Sequence, residues 1–383
     1  MNRTSRTTEP FGLGEACSIA VLAAVRIWQG GDVMDLTEAQ SLWDATPGWL
    51  NTASYGLPPR PAWNALQAAL DEWRHGRTSW EHWDQSTTRA RESFARLLGV
   101  SPSDVCVGST VSGLLGPVAA SIPSGTRVIV PSVEFTSNLF PWLVQARRGV
   151  EVVTVPTGEL AHAVASPGTG GRGPTLVAFS AVQSATGEVA DFDTIVDQAR
   201  RVGATVIVDA TQAAGWLPLP WSRADVVVVA GYKWLMAPRG TAYAYLSPAV
   251  RDDFVPLSAG WYAGADPHTS YYGPPLRLAS DARRFDVSPA WFSFVGAAPA
   301  LDLLLEIGLE RIHAHNVGLA NRFCTGLGLP PTDSAIVSTD IADAEQKLAH
   351  AGVRAAVRGG RVRLSFHVYN TVADVDRAVT ALT

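Results

Sequence analysis

ADVVVVAGYKWLMAPRG, residues 224–240, joins an unbroken apolar run to a lysine and a Pro/Gly turn. A short β-branched run that is apolar at every position belongs to a strand buried on both faces, as in a parallel sheet covered by helices. Lys233 follows that run, at the end of the strand where ligands collect in open α/β sheets. Lysine is scarce here: of the 30 basic residues only Lys233 and Lys347 are lysine, and the rest are arginine. Such a bias is compositional drift in which Arg has replaced Lys wherever charge alone is needed. It cannot replace an amine that must lose its proton to act as a nucleophile. Lys347 lies in ADAEQKLAHAG, an amphipathic helix pattern that leaves it solvated. Lys233 has no such setting.

Outward from this stretch the pattern repeats. TRVIVPSV (126–133), VEVVTVP (150–156), TLVAFSAV (175–182) and ATVIVDA (204–210) are further short apolar runs. Helical spacing marks 61–76, 87–100 and 191–203. The alternation predicts a mostly parallel sheet sandwiched by helices. SPGTGGRGP (166–174) reads as a surface loop without a P-loop Lys. After residue 285 the texture changes to one long helical pattern over 295–327, then SAIVST, a helix at 341–351, VRAAV, VRLSF and a last helix at 371–382. The expected division is an extension at 1–33 ahead of a start at Met34, a large unit at 34–284 whose residues 34–50 pack on the small one, and a smaller α+β unit at 285–383.

With 383 residues, 47% apolar and 17% charged, the chain is long and apolar enough for a large core without staples. A net charge of −5 and the lack of any basic run argue against a nucleic-acid partner. The apolar stretch 16–25 is too short to span a bilayer and is closed by Arg26, so no membrane role is expected. Cys17, Cys106 and Cys324 are odd in number and far apart, which excludes a disulfide framework or a C-x-x-C site. The histidines form no metal-ligand spacing, and His313 and His315 read as helix surface.

Chemistry-bearing residues gather where the strands end. Asp209 closes ATVIVD, where a carboxylate is costly unless a cation pairs with it. Gln212 follows three residues later. Ser109 and Thr110 open a helix whose free N–H groups suit a phosphate. Arg363 lies in a strand and can hold a carboxylate bidentately. Singly each has a plainer reading: a cap for Asp209, Ser109 or Thr110, an ion pair for Arg363. Together a lysine for an imine, a carboxylate for a pyridinium nitrogen and an anion-binding helix end are what a protein supplies to pyridoxal 5'-phosphate.

The order and spacing of these residues resemble the class V aminotransferase family of fold-type I pyridoxal-phosphate enzymes, over about residues 48–383. AGYKWLMAPRGTAYAYL (230–246) is similar to the family's lysine segment. The resemblance implies that Lys233 bonds the cofactor, that Tyr232 touches the phosphate, and that the Ser contact of desulfurases is lost at Ala230. VDATQAAG (208–215) implies Asp209 on the pyridine nitrogen and Gln212 on the phenolic oxygen. GST (108–110) matches the phosphate turn. EFTSNLFPW (134–142) places Phe135 against the cofactor ring. SAVQSATG (180–187) offers Ser184 or Gln183 to the cofactor oxygen. RRFDVSP (283–289) implies that Ser288 reaches a second subunit's phosphate, hence a homodimer. RLSFHVYNT (363–371) implies that Arg363 clamps a substrate α-carboxylate.

Asn51, Ala53, Trp261 and Tyr262 are the substrate-side candidates, with Trp80 and Trp83 near the entrance. GVRAAVRGGRVRLSF (352–366) lacks the cysteine that desulfurases carry before that arginine, which argues against persulfide chemistry. The expected function is a cytoplasmic, metal-free aminotransferase acting on an amino acid. The alternatives are a β-lyase or an epimerase, and in a different class a non-catalytic binding protein.

Overall fold

The computed structural model describes residues 34–166 and 173–383. The 1–33 extension and most of the 166–174 loop fall outside them.

Seven strands form the main sheet: β1 (Val105–Gly108), β2 (Arg127–Pro131), β3 (Glu151–Val155), β4 (Thr175–Ser180), β5 (Thr205–Asp209), β6 (Val226–Ala230) and β7 (Ala242–Leu246). Their order is β1-β7-β6-β5-β4-β2-β3, and β7 pairs antiparallel to both neighbours while the other pairs are parallel. Alternate residues of each strand enter two cores. Val107, Val177, Val208, Val227 and Tyr243 pack on one face. Cys106, Val128, Ala178, Ile207 and Val228 pack on the other. Both faces are therefore buried, which is why β2 and β4–β6 read as continuous apolar runs.

Two strands were not anticipated. β1 is four residues and runs straight into a helix. β7 alternates small and large, with Tyr243 and Tyr245 in one core and Ala242 and Ala244 in the other. The expected 87–100 helix starts earlier, at Trp80, and ends at Leu98. The single pattern over 295–327 is two helices, Trp291–Ile307 and Leu309–Gly326, bent by 85° at Gly308. Among the described residues no single helix is long and apolar enough to cross a membrane.

A second sheet holds β8 (Ile336–Thr339), β9 (Ala356–Arg358) and β10 (Arg361–Ser365) in the order β8-β10-β9. Leu50 joins its core, which also contains Phe323, Leu348, Leu364 and Val375. The segment ahead of the first sheet is tied here. Gln40 donates to the carbonyls of Val368 and Asn370, and Asn51 bridges Ser365. His313 and His315 are not surface groups. His313 stacks on Trp216, and His315 is half-buried against the Asn370 carbonyl.

Candidate active site

The carboxyl ends of β4, β5 and β6 and the turn after β1 surround a cleft. Ser109, Thr110, Phe135, Ser184, Asp209, Gln212, Tyr232 and Lys233 all line it. Eight side chains singled out in the sequence thus meet in one place.

Lys233 is 6% exposed, with Nζ 5.4 Å from the Phe135 ring centre and 5.8 Å from that of Tyr232. Burial pulls its amine down to about 8, against a smaller upward pull from Asp209; Arg363, Arg358 and Arg239 pull the same way as burial. The loop that carries it is held from outside. His367 Nε2 meets the Trp234 carbonyl at 2.9 Å, and the Gly56 N–H donates to the Tyr232 carbonyl. A Cβ at Gly56 would lie 2.0 Å from the Lys233 carbonyl oxygen, so only glycine permits this approach.

Asp209 is 4% exposed and accepts the Thr211 N–H at 2.8 Å. Burial raises its pKa, and among the described residues it has no ion-pair partner. A buried carboxylate that shares the cleft with Lys233 without forming an ion pair with it is suited to a cationic ligand. Thr110 caps the helix Val111–Ser121, its Oγ1 accepting from Gly113 N. Val111 and Ser112, whose N–H groups in the first turn have no intrahelical acceptor, line the cleft.

Phe135 is 45% exposed and is positioned by Glu134, whose carboxylate accepts from the N–H groups of Phe135 and Ser180 and from the Ser180 hydroxyl. Gln183 is tied to the same carboxylate and does not line the cleft, whereas Ser184 does. Ser184 Oγ accepts from Gln212 Nε2 at 3.0 Å and from Arg363 Nη1 at 3.1 Å, leaving its own proton free to donate. Gln212 also donates to the Ala53 carbonyl and accepts from Trp234 Nε1, so both its N–H groups are engaged.

Arg363 stands behind this wall, 1% exposed. Its Nη groups meet Ser184 and Ser54, and its buried Nε has no partner. Ser54 and Arg239 were not read from the sequence. Arg239 lines the cleft with its guanidinium 4.8 Å over the Tyr232 ring, and nothing in an arginine-rich chain marks it.

Other expectations fail to reach the cleft. Tyr262 donates to Asp84 at 2.6 Å and lines a separate cavity with Trp80, Arg91 and Asp286. Trp80 stacks on Trp291 there, and Trp83 packs on Phe292. Ser288 is exposed, and Asn51 is half-buried with Oδ1 unpartnered; neither lines the cleft. The described cysteines, Cys106 and Cys324, are both buried and free.

The aminotransferase class-V family profile matches residues 73–349, and the chain belongs to that family. It is a pyridoxal-phosphate enzyme, and the unpaired Asp209, the helix end and the buried amine fit that cofactor. It is 27% identical over 348 residues to an uncharacterized aminotransferase YcbU of Bacillus subtilis, covering 86% of this chain and 92% of the relative. It is 29% identical to an isopenicillin N epimerase of Streptomyces clavuligerus over 77% of this chain and 83% of the relative. Among solved structures, the cystine C-S lyase C-DES superposes with a TM-score of 0.78 at 21% identity, covering 88% of this chain and 97% of that one. That likeness establishes the shared fold.

Proposed function

We propose that this chain is an aminotransferase of α-amino acids in which Lys233 holds the cofactor and moves the Cα proton. The supporting observation is a buried amine, pulled down to about 8, in one cleft with an unpaired buried carboxylate and an open helix end. When bound, pyridoxal phosphate supplies an electron sink for a bond broken at Cα. Lys233 Nζ, partly neutral near pH 8, takes a proton from Cα and returns it to the substrate or the cofactor. Asp209 keeps the ring nitrogen protonated. Ser109, Thr110 and Tyr232 would hold the phosphate, Phe135 would cover the ring, and Ser184, held by Gln212, would donate its free proton to the ring oxygen. Arg363 fixes the α-carboxylate and so the orientation of the bond to be broken.

In this reading residues 34–284 carry the cofactor and residues 285–383 bring Arg363 to it. The working unit is a homodimer in which exposed Ser288 serves a second copy's cleft, so equilibrium sedimentation is expected to give a dimer. Buried free thiols at Cys106 and Cys324 fit a reducing, cytoplasmic setting.

A β-lyase would use the same residues, and one measurement separates the two. The visible band of the holoenzyme is followed as single amino acids are added without a keto acid. Transamination bleaches the band and releases one keto acid per site. Elimination leaves the band while keto acid and ammonia accumulate. Lys233→Ala is expected to lower turnover by about 10³-fold or more. A variant with full turnover would remove Lys233 from the chemistry.

A further inference from the structure

Two guanidinium groups meet at one hydroxyl beside this cleft. Ser54 Oγ accepts from Arg363 Nη2 at 2.8 Å and from Arg358 Nη2 at 3.3 Å. Strand pairing brings them together. Arg363 is opposite Ala356 and Arg358 opposite Arg361, so both arginines share one face of the β9–β10 hairpin, and Ala356 leaves space beside Arg363. The turn between the strands is Gly359-Gly360, with φ of 55° and 78°, a conformation that suits a two-residue hairpin and fixes this register.

Neither arginine is ion-paired among the described residues. Arg358 otherwise donates only to its neighbour's carbonyl, and Arg363 to Ser184. Arg361 shows the contrast, since it pairs with Asp340. Arg358 is exposed, so its guanidinium is open to a ligand, while the buried Arg363 Nε has no acceptor among the described residues. Arg239, also without an acid among the described residues, and Lys233 add positive charge in the lining of the cleft itself. Among the described residues the only carboxylate lining it is Asp209.

We infer that Arg358 is a specificity-determining residue that binds a second carboxylate, on the side chain of the amino-acid substrate. This rests on the reading of Lys233 and Arg363 given above. The α-carboxylate accounts for Arg363, and a substrate with one more anionic group balances the charge beside it. Neutral side chains gain nothing from Arg358, which is the basis of selection between the two.

The test uses holoenzyme and two pairs matched in carbon-chain length, L-glutamate with L-norvaline and L-aspartate with L-2-aminobutyrate. Half-saturation is read from the cofactor's visible spectrum. L-Glutamate or L-aspartate is expected to half-saturate at least about tenfold below its neutral partner, the scale of one charged hydrogen-bonded contact. Arg358→Gln is expected to bring that ratio to about one, and Arg358→Lys to restore part of it. Arg361→Gln, on the same hairpin but paired with Asp340, keeps the wild-type ratio. A wild-type ratio near one, or a ratio that Arg358→Gln does not change, overturns the inference while leaving the lysine reading intact. It would mean that a single carboxylate bridges both arginines. No spectral response to any of the four amino acids overturns the lysine reading itself, and this inference with it.

Discussion

Asp209 and Asp286 are equally hidden carboxylates held in opposite ways. Asp286 is 1% exposed and meets Arg91 through both oxygens, at 2.7 and 3.2 Å, while Val107 N donates to it at 2.8 Å. Arg91 also donates to the Val105 carbonyl, so this pair fastens β1 to the helix Trp80–Leu98 and to the chain after Phe285. Asp209 has one backbone donor, Lys233 nearby, and a cleft in front of it. Arg91 and Arg363 repeat the contrast: both are buried, and only Arg91 has a carboxylate. Burial alone does not mark a functional group. A buried charge whose partner is missing does, because the fold bears its desolvation for a ligand to relieve.

Exchanging each carboxylate for its amide breaks the comparison most sharply. Asp286→Asn strands the Arg91 charge and is expected to cost about 3–5 kcal/mol of stability, read from urea unfolding of the apoprotein. Asp209→Asn removes a charge with no ion-pair partner, so the apoprotein is expected to be no less stable than wild type. Its turnover is expected to fall by about 10²-fold or more, the scale for losing a preorganised electrostatic partner. Equal destabilisation by the two changes would show that Asp209 is structural.

The next effect is in pH. Only the unprotonated amine of Lys233 can capture the cofactor. The attachment rate of the apoprotein is therefore expected to rise with pH and level off above about 8. The folded amine lies below its ordinary value of 10.5, so between about 8 and 10.5 the unfolded chain binds more protons. Apoprotein stability then rises with pH across that window. Lys233→Met is expected to flatten this contribution to the urea midpoint. A rate that levels off only near 10.5 would mean that burial does not set the amine.

These contrasts also explain what could be read before any coordinates. The strands β2 and β4–β6 were legible because burial on both faces writes itself as apolar runs. β7 was not, because AYAYL served equally as the tail of the lysine segment. Lys233 stood out as one of two lysines, and Asp209 as a carboxylate ending an apolar run. Arg239, Arg358 and Ser54 carried no such signal. One arginine among many is silent until its partner, or the lack of one, is known. Tyr262, a substrate-side candidate in the sequence, spends its hydroxyl on Asp84, 178 residues earlier in the chain.

The smallest effect is expected at the cysteines, and it sharpens the comparison from the satisfied side. Cys106 lies in β1 with its side chain in the core, and burial pushes its thiol far up. Cys324 is buried in the helix Leu309–Gly326, and burial raises it too. Neither lines the cleft, so neither supplies a thiolate to a bound substrate. Alkylating the native holoenzyme, or replacing Cys106 and Cys324 together by alanine, is expected to leave kcat within about twofold for correctly folded protein, because inert buried thiols take no part in catalysis. Loss of turnover on alkylation, with the cofactor band intact, would place a thiol in the reaction. It would then favour persulfide-forming desulfuration over amino transfer, since that chemistry asks for a sulfur nucleophile beside the substrate.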